Sequence, residues 1–207
     1  MKILVTGGSG LIGTAIRHHL VPNTIINYDL YFDYDDYIGC SARVDARIPL
    51  HKYMYPDLDV FIDCARYGKP SEQFITWNTV INHFKQQGKG KMILFSSIYG
   101  HKVPDFSIYQ DTEIEETPIE YAIWKAGTEH ATRFLAQKLK PYYIQVNCIA
   151  PGGVHDKQSL AFQQLYKESG GVSMITTKNI LPVIDMLLHK DNAINGQVIT
   201  IDKGWSL

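Results

Sequence analysis

The chain has 207 residues, 45% of them hydrophobic and 20% charged, a balance that suits one globular domain with a sizeable core. Its formal net charge of -1 gives no reason to expect nucleic acid or an anionic membrane surface as an electrostatic partner. No apolar run approaches the roughly 18–20 residues that span a bilayer, and three cysteines without C-x-x-C spacing, behind a start "MKILVTGG" that lacks signal-peptide form, lead us to expect a reducing cytoplasm.

Short apolar runs alternate with longer helical stretches. Strands are predicted at 2–6, 24–28, 59–65, 91–97, 142–150 and 196–202, with a weaker one at 42–46. Helices are predicted at 11–20, 71–87, 118–140 and 177–189. Repeated strand–helix alternation with near-continuously apolar strands reads as an α/β fold, a doubly wound parallel sheet in a single domain. Two stretches break the pattern. Residues 29–40, "DLYFDYDDYIGC", are acidic and aromatic without helical period. Residues 151–177 are glycine-rich at both ends and read either as a substrate lid or as a surface loop. Cys64 and Cys148 lie in apolar runs and read as small core residues. The eight histidines include neither H-E-x-x-H nor a Cys/His cluster, so no metal site is expected.

"TGGSGLIG" (6–13) joins the first strand to the first helix, with Gly7, Gly10 and Gly13 at three-residue spacing. A turn of this kind lets backbone approach a pyrophosphate and aims helix N-terminal amides at it. The stretch Gly7, Ser9, Gly10, Leu11, Ile12 and Gly13 is therefore the candidate dinucleotide cradle, with a plain turn as the alternative. Asp29, just past the second strand, can accept hydrogen bonds from a ribose and would repel a 2′-phosphate, or else is a turn-forming aspartate. The first basic residue after it is Arg43, so NAD is preferred to NADP. Asp45 is a candidate for the adenine edge, or else half of a surface salt bridge.

Thr117, Pro118 and Glu120 read as a capping box that starts a helix. Tyr121 and Lys125 then fall on one face at i, i+4, either as an ordinary surface pair or as a proton-transfer group. A phenol titrates near ~10, and a nearby ammonium is expected to lower it. Ser96 and Ser97 fall at the carboxyl end of the fourth clear strand, where open α/β sheets bind ligands and a hydroxyl can stabilise a developing alkoxide.

In order along the chain, "TGGSGLIG", "LFSSIYG", "YAIWK", "IQVNCIAPGGV" and "GQVITIDKGW" resemble the short-chain dehydrogenase/reductase superfamily over nearly the whole length. The resemblance implies a Rossmann fold, a nicotinamide cofactor, Tyr121 as general acid/base, Lys125 as ribose-orienting residue and Ser97 as the carbonyl-positioning serine. It also implies cofactor contacts from Ala65 and from the "PGGV" segment, Pro151, Gly152 and Val154, and a water-relay asparagine at Asn78, with Asn82 as alternate. Features of the extended and compact branches are mixed. "DCAR" (63–66) replaces the compact branch's Asn-Asn-Ala-Gly, putting Arg66 where glycine is usual. The longer gap between Ser97 and Tyr121 resembles members encoded for bacterial surface-sugar biosynthesis. It suggests a polar, sugar-like small-molecule substrate contacted by His101, Lys102, Asp105, Tyr109, His155 or Lys157. The relatives commonly form homodimers or homotetramers. A non-catalytic dinucleotide-binding regulator and an NAD-dependent sugar epimerase or dehydratase are the other readings of the same residues.

Overall fold

The computed structural model describes residues 1–30, 42–47, 49–53 and 56–207, without the side chains of residues 42–44 and 53. Cys40 and most of the acidic aromatic stretch lie outside the described residues. Seven strands form one parallel sheet: β1 Lys2–Thr6, β2 Thr24–Asp29, β3 Ala42–Asp45, β4 Val60–Asp63, β5 Gly90–Phe95, β6 Ile144–Pro151 and β7 Val198–Ile201. Their order is β3-β2-β1-β4-β5-β6-β7, all neighbours parallel. The chain winds outward from β1 to β3, then returns to β4 on the other side of β1. That reversal opens a crevice at the carboxyl ends of β1 and β4.

Strand side chains alternate between faces, and both faces are apolar, so helices must cover both. Leu4, Ile26, Phe61, Met92, Leu94 and Val146 meet α2 (Pro70–Gln87) and α3 (Ile119–Leu139) through Trp77, Val80, Phe84 and Leu139. The intervening residues Ile3, Val5, Ile25, Ile62, Ile93 and Ile149 meet α1 (Leu11–His19) and α5 (Thr177–Leu188) through Ile16, Ile180, Ile184 and Leu187. Cys148 is buried in the first cluster, where burial pushes its thiol up to about 12, and Cys64 packs against the second. A third cluster sits above the carboxyl ends of the later strands, formed by Ile98, Ile108, Tyr109, Phe162, Tyr166, Met174 and Trp205.

Two local expectations are corrected. Residues 151–177 are not all loop, because α4 spans Leu160–Gly170. Ser159 caps it by accepting from Phe162 N, Phe162 and Tyr166 bury one face, and Gly171 ends it at φ +71°. The capping box at Thr117 does not form. The helix starts at Ile119 after Pro118, and Thr117 Oγ1 lies 2.6 Å from Tyr109 Oη instead. The capping box the chain does build opens α5, between Thr176 and Asn179.

At the end of β4, Asp63 is 2% exposed and accepts four side-chain hydrogen bonds, from Thr6 Oγ1 (2.6 Å), Trp77 Nε1 (2.7 Å), Tyr67 Oη (2.9 Å) and Gln73 Nε2 (3.1 Å). Removing the acceptor strands these donors. Asp63→Ala is therefore expected to destabilise the fold by roughly 3 kcal/mol or more, and Asp63→Asn, which keeps one acceptor oxygen, by about half as much. Urea midpoints at constant m-value measure both.

Candidate functional site

The glycine turn follows β1 directly. Gly7 has φ +64°, and a Cβ there would stand 2.6 Å from Ala65 Cα, so the turn lies flush on the backbone beyond β4. A Cβ on Gly13 would meet Gly7 O at 2.3 Å. Gly10 differs: its φ is -76°, and among the described residues the only neighbour a Cβ would meet within 4 Å is Gly7 O, at 3.3 Å. The fold itself demands Gly7 and Gly13, while Gly10 leaves open a path to the first turn of α1. No side chain caps that helix start, so its amides face outward as an anion cradle. The turn is braced from beneath. Buried Arg17 donates from Nε to Gly8 O (2.6 Å), and Asn27 Nδ2 donates to Ser9 Oγ (3.0 Å). These features fit a dinucleotide pyrophosphate. Leu11 is exposed at the helix start, while Ile12 packs inward.

Asp29 ends β2 beside this turn and accepts from Ser9 N (2.9 Å) and Leu30 N (2.7 Å). Asp45 is its register partner on β3. Arg47 binds Asp45 through Nη2 (2.6 Å) and Nε (2.9 Å), which holds the Asp45 carboxyl below its usual range. The adenine-edge expectation for Asp45 thus meets the surface salt bridge that was its alternative. Arg47, two residues past Asp45 at this sheet edge, binds the Asp45 carboxylate through its guanidinium.

Ser96 and Ser97 stand just beyond β5 and are both buried. Tyr121 and Lys125 come from the first two turns of α3. Ser97 neighbours the Tyr121 hydroxyl and favours its ionised form, while Ser97 Oγ accepts from Tyr99 N at 3.2 Å, capping its own turn. Lys125 Nζ donates to Phe95 O (2.9 Å) and lies 5.5 Å from the centre of the Tyr121 ring. The structure thus brings Ser97, Tyr121 and Lys125 together at the carboxyl end of β5.

The expected electrostatics are reversed. Burial raises the Tyr121 phenol above its ordinary value, against the hydrogen bond from Ser97 and the positive charge of Arg66, which lower it. Lys125 is not the cation at the hydroxyl, because its ammonium serves the Phe95 carbonyl. Burial lowers Lys125 itself, opposed chiefly by the negative charge of Asp63. Arg66, the departure from the family's glycine, is exposed on the loop that Asp63 anchors through Tyr67.

Other expected residues are placed as follows. Asn78 and Asn82 are both on the exposed side of α2, opposite buried Trp77, Val80, Ile81 and Phe84, so neither supplies a buried relay. The polar residue that α2 directs toward α3 is Gln73, whose Oε1 accepts from Trp124 Nε1 at 2.6 Å. Gly152 N donates to Ile201 O (2.9 Å), Gly153 N to Tyr166 Oη (2.9 Å), and Val154 bridges to Ile175. Among the suggested substrate contacts, His101 turns to Glu129 (Nδ1 to Oε1, 2.7 Å) and Lys102 to Ser206 O (3.3 Å). Asp105 ties the insertion to α4 through Ser169 Oγ (2.6 Å). Tyr109 is buried, with its hydroxyl 3.4 Å from Tyr99 Oη. His155 and Lys157 are exposed. Sequence reasoning missed Asp63 and Glu129, because a lone acid in a strand end or helix carries no sign of the donors that gather on it.

Comparison with known proteins agrees with the fold. Residues 74–206 match the family described as Enoyl-(Acyl carrier protein) reductase. The chain is 33% identical over 129 residues to post-translational flagellin modification protein A of Campylobacter coli, covering 61% of this chain and 50% of that protein. It is 28% identical over 132 residues to D-xylose 1-dehydrogenase of Caulobacter vibrioides, covering 58% and 47%. The chain thus spans about half the length of these curated relatives. The solved structure of a short chain dehydrogenase from Leptospira borgpetersenii with bound NAD+ superposes with a TM-score of 0.84 at 26% identity, covering 100% of this chain and 92% of that one.

Gly10→Ala separates ligand demand from fold demand. It is expected to leave the melting temperature near that of the parent while weakening NADH binding about tenfold or more, whereas Gly13→Ala lowers the melting temperature itself. NADH fluorescence titration beside thermal melts distinguishes the two effects.

Proposed function

The chain belongs to the short-chain dehydrogenase/reductase superfamily, and from that premise we propose that it is an oxidoreductase that interconverts a hydroxyl and a carbonyl. The observation that carries this reading is the convergence of Ser97, Tyr121 and Lys125 beside the braced glycine turn. Gly7 to Gly13 would hold the pyrophosphate and Asp29 a ribose hydroxyl. Asp45 flanks the adenine side, and Ala65, Pro151, Gly152 and Val154 line the nicotinamide side. NAD is the preferred cofactor, because the carboxylate of Asp29 repels a 2′-phosphate and Arg47 is already engaged. When bound, the nicotinamide supplies or accepts the hydride.

Tyr121 holds the proton that moves to or from the substrate oxygen. Burial keeps it a neutral phenol, ready to donate, and a hydrogen bond from Ser97 stabilises the charge that develops on that oxygen. Lys125, fixed on Phe95 O, orients the ribose and the tyrosine ring. The third hydrophobic cluster buries Tyr109 and Tyr166 and leaves Tyr99 half-buried at its edge, next to the proposed polar, sugar-like substrate. The D-xylose substrate named for the Caulobacter relative supports that class. We also propose a homodimer through the outer faces of α2 and α3, which expose Phe74, Ile75, Ile119, Ile123 and Phe134.

Three measurements test the reading. Tyr121→Phe is expected to lower turnover on a panel of sugars by at least about a thousandfold while leaving NADH affinity within about twofold. Retained turnover would remove Tyr121 from the mechanism. Because the Tyr121 phenol is raised, reduction should be flat through neutral pH while oxidation, which needs the phenolate, climbs with pH. Arg66→Gly removes a charge that lowers the phenol and should move the oxidation limb to higher pH. An unmoved limb would show that Arg66 does not act on the tyrosine.

A further inference from the structure

Tyr121, Lys125 and Glu129 stand four residues apart in succession on α3, one stripe along a single helix face. The first two have roles in the reading above. Glu129 is the third, and its side chain is 7% exposed. A carboxylate in such a place is expensive to bury, and a packed apolar residue would serve stability better. Its contacts show what it does. Glu129 Oε1 lies 2.7 Å from His101 Nδ1 and 3.2 Å from Ser96 Oγ. Ser96 Oγ is also 2.9 Å from Lys125 O, which ties it to the helix. The single Ser96 proton is shared between Lys125 O and Glu129 Oε1, so the carboxylate holds His101 directly and Ser96 through the longer branch of that shared bond, on either side of Ser97.

The turn between these grips has no slack. Gly100 N donates to Ser97 O (2.9 Å), and His101 N donates to Ile98 O (3.1 Å). A Cβ on Gly100 would stand 2.7 Å from Glu129 Oε1, 2.8 Å from Ser96 Oγ and 3.0 Å from Lys125 C, so the loop lies directly on α3. The outer end of His101 reaches toward β7, with Nε2 3.5 Å from Thr200 Oγ1. Within this clamp, Ser97 Oγ accepts from Tyr99 N at 3.2 Å, and Ser97 is near enough to Tyr121 to favour its phenolate.

We infer that Glu129 is a positioning residue that, through Ser96 and His101, holds the Ser97 loop in register with Tyr121. The inference rests on the reading of Ser97 and Tyr121 as partners. It assigns Glu129 no contact with substrate. A shift of the loop by a fraction of an ångström would change the separation of Ser97 from the Tyr121 hydroxyl without disturbing the glycine turn or the sheet.

The test needs no substrate. Protein labelled with 13C at tyrosine Cζ gives a resonance for Tyr121, assigned by its loss in Tyr121→Phe, that senses the Ser97 hydroxyl. Ser97→Ala defines the displacement when that hydroxyl is absent. Glu129→Leu is expected to displace the Tyr121 resonance in the same direction and to a comparable extent, with NADH affinity preserved. Glu129→Gln, which keeps an acceptor for Ser96 and His101, should restore most of the parent position. His101→Leu, a milder change at a half-exposed site, should give a smaller displacement of the same sign and serves if Glu129→Leu does not fold. A Tyr121 resonance unmoved in Glu129→Leu, or in His101→Leu where that is the folded variant, would overturn the inference. Full displacement in Glu129→Gln would overturn the hydrogen-bonded route. If Ser97→Ala itself leaves Tyr121 unmoved, the partnership of Ser97 and Tyr121 falls, and this inference falls with it.

Discussion

A carboxylate buried at the end of a parallel strand is tolerable only if donors converge on it, and the arrangement of those donors then becomes obligatory. Asp63 imposes this constraint here. Thr6 reaches it from the end of β1, at the root of the glycine turn, and Tyr67 from the loop that carries Arg66. Gln73 and Trp77 reach it from α2. Gln73 passes the linkage on to Trp124, which lies between Tyr121 and Lys125 on α3. One acid therefore connects the glycine-turn side of the crevice to the helix that carries Tyr121 and Lys125. The topology opens a crevice between β1 and β4, and Asp63 fixes its dimensions.

The electrostatics of the tyrosine follow from the same placement. Burial that shields the site also raises the phenol, and the lysine four residues on is spent on a strand-end carbonyl. The compensating charge comes from Arg66, the residue that breaks the family's glycine pattern. From sequence, that residue is simply a departure from the glycine usual at its place. In the fold, the glycine turn still closes onto the backbone of Cys64 and Ala65, and the arginine stands exposed beyond them, adding a positive charge near the proton-transfer group.

Much of this was legible in the chain itself. The strands were readable because both sheet faces are covered, which makes them near-continuous apolar runs, and the order of motifs gave the winding. Ser97, Tyr121 and Lys125 could be singled out together because each falls where a strand ends or a helix begins. Helix α4 was hidden by the glycines around it, although Ser159, the Phe162–Tyr166 spacing and Gly171 are its start, face and stop. Thr117 looked like a cap because local pattern favours one, but a tertiary partner, Tyr109, took its hydroxyl. Asn78 was chosen by analogy of position, and only the packing of α2 shows that it faces outward. Glu129 resembles any solvated helix acid until the loop folded over it is seen.

The third hydrophobic cluster carries a consequence for motion. Tyr166 stacks on Trp205 with ring centres 4.8 Å apart, and its hydroxyl accepts from Gly153 N in the segment after β6. Tyr109, from the insertion, packs against Phe162 in the same cluster. Gly170 has no room for a side chain, because a Cβ would fall 1.9 Å from the Trp205 ring. The insertion, α4 and the segment after β7 are thus a single aromatic keystone rather than three independent loops. A movement that lifted α4 would unstack Trp205, free the amide of Gly153 and loosen the segment after β6 together, so these three segments are mechanically one variable.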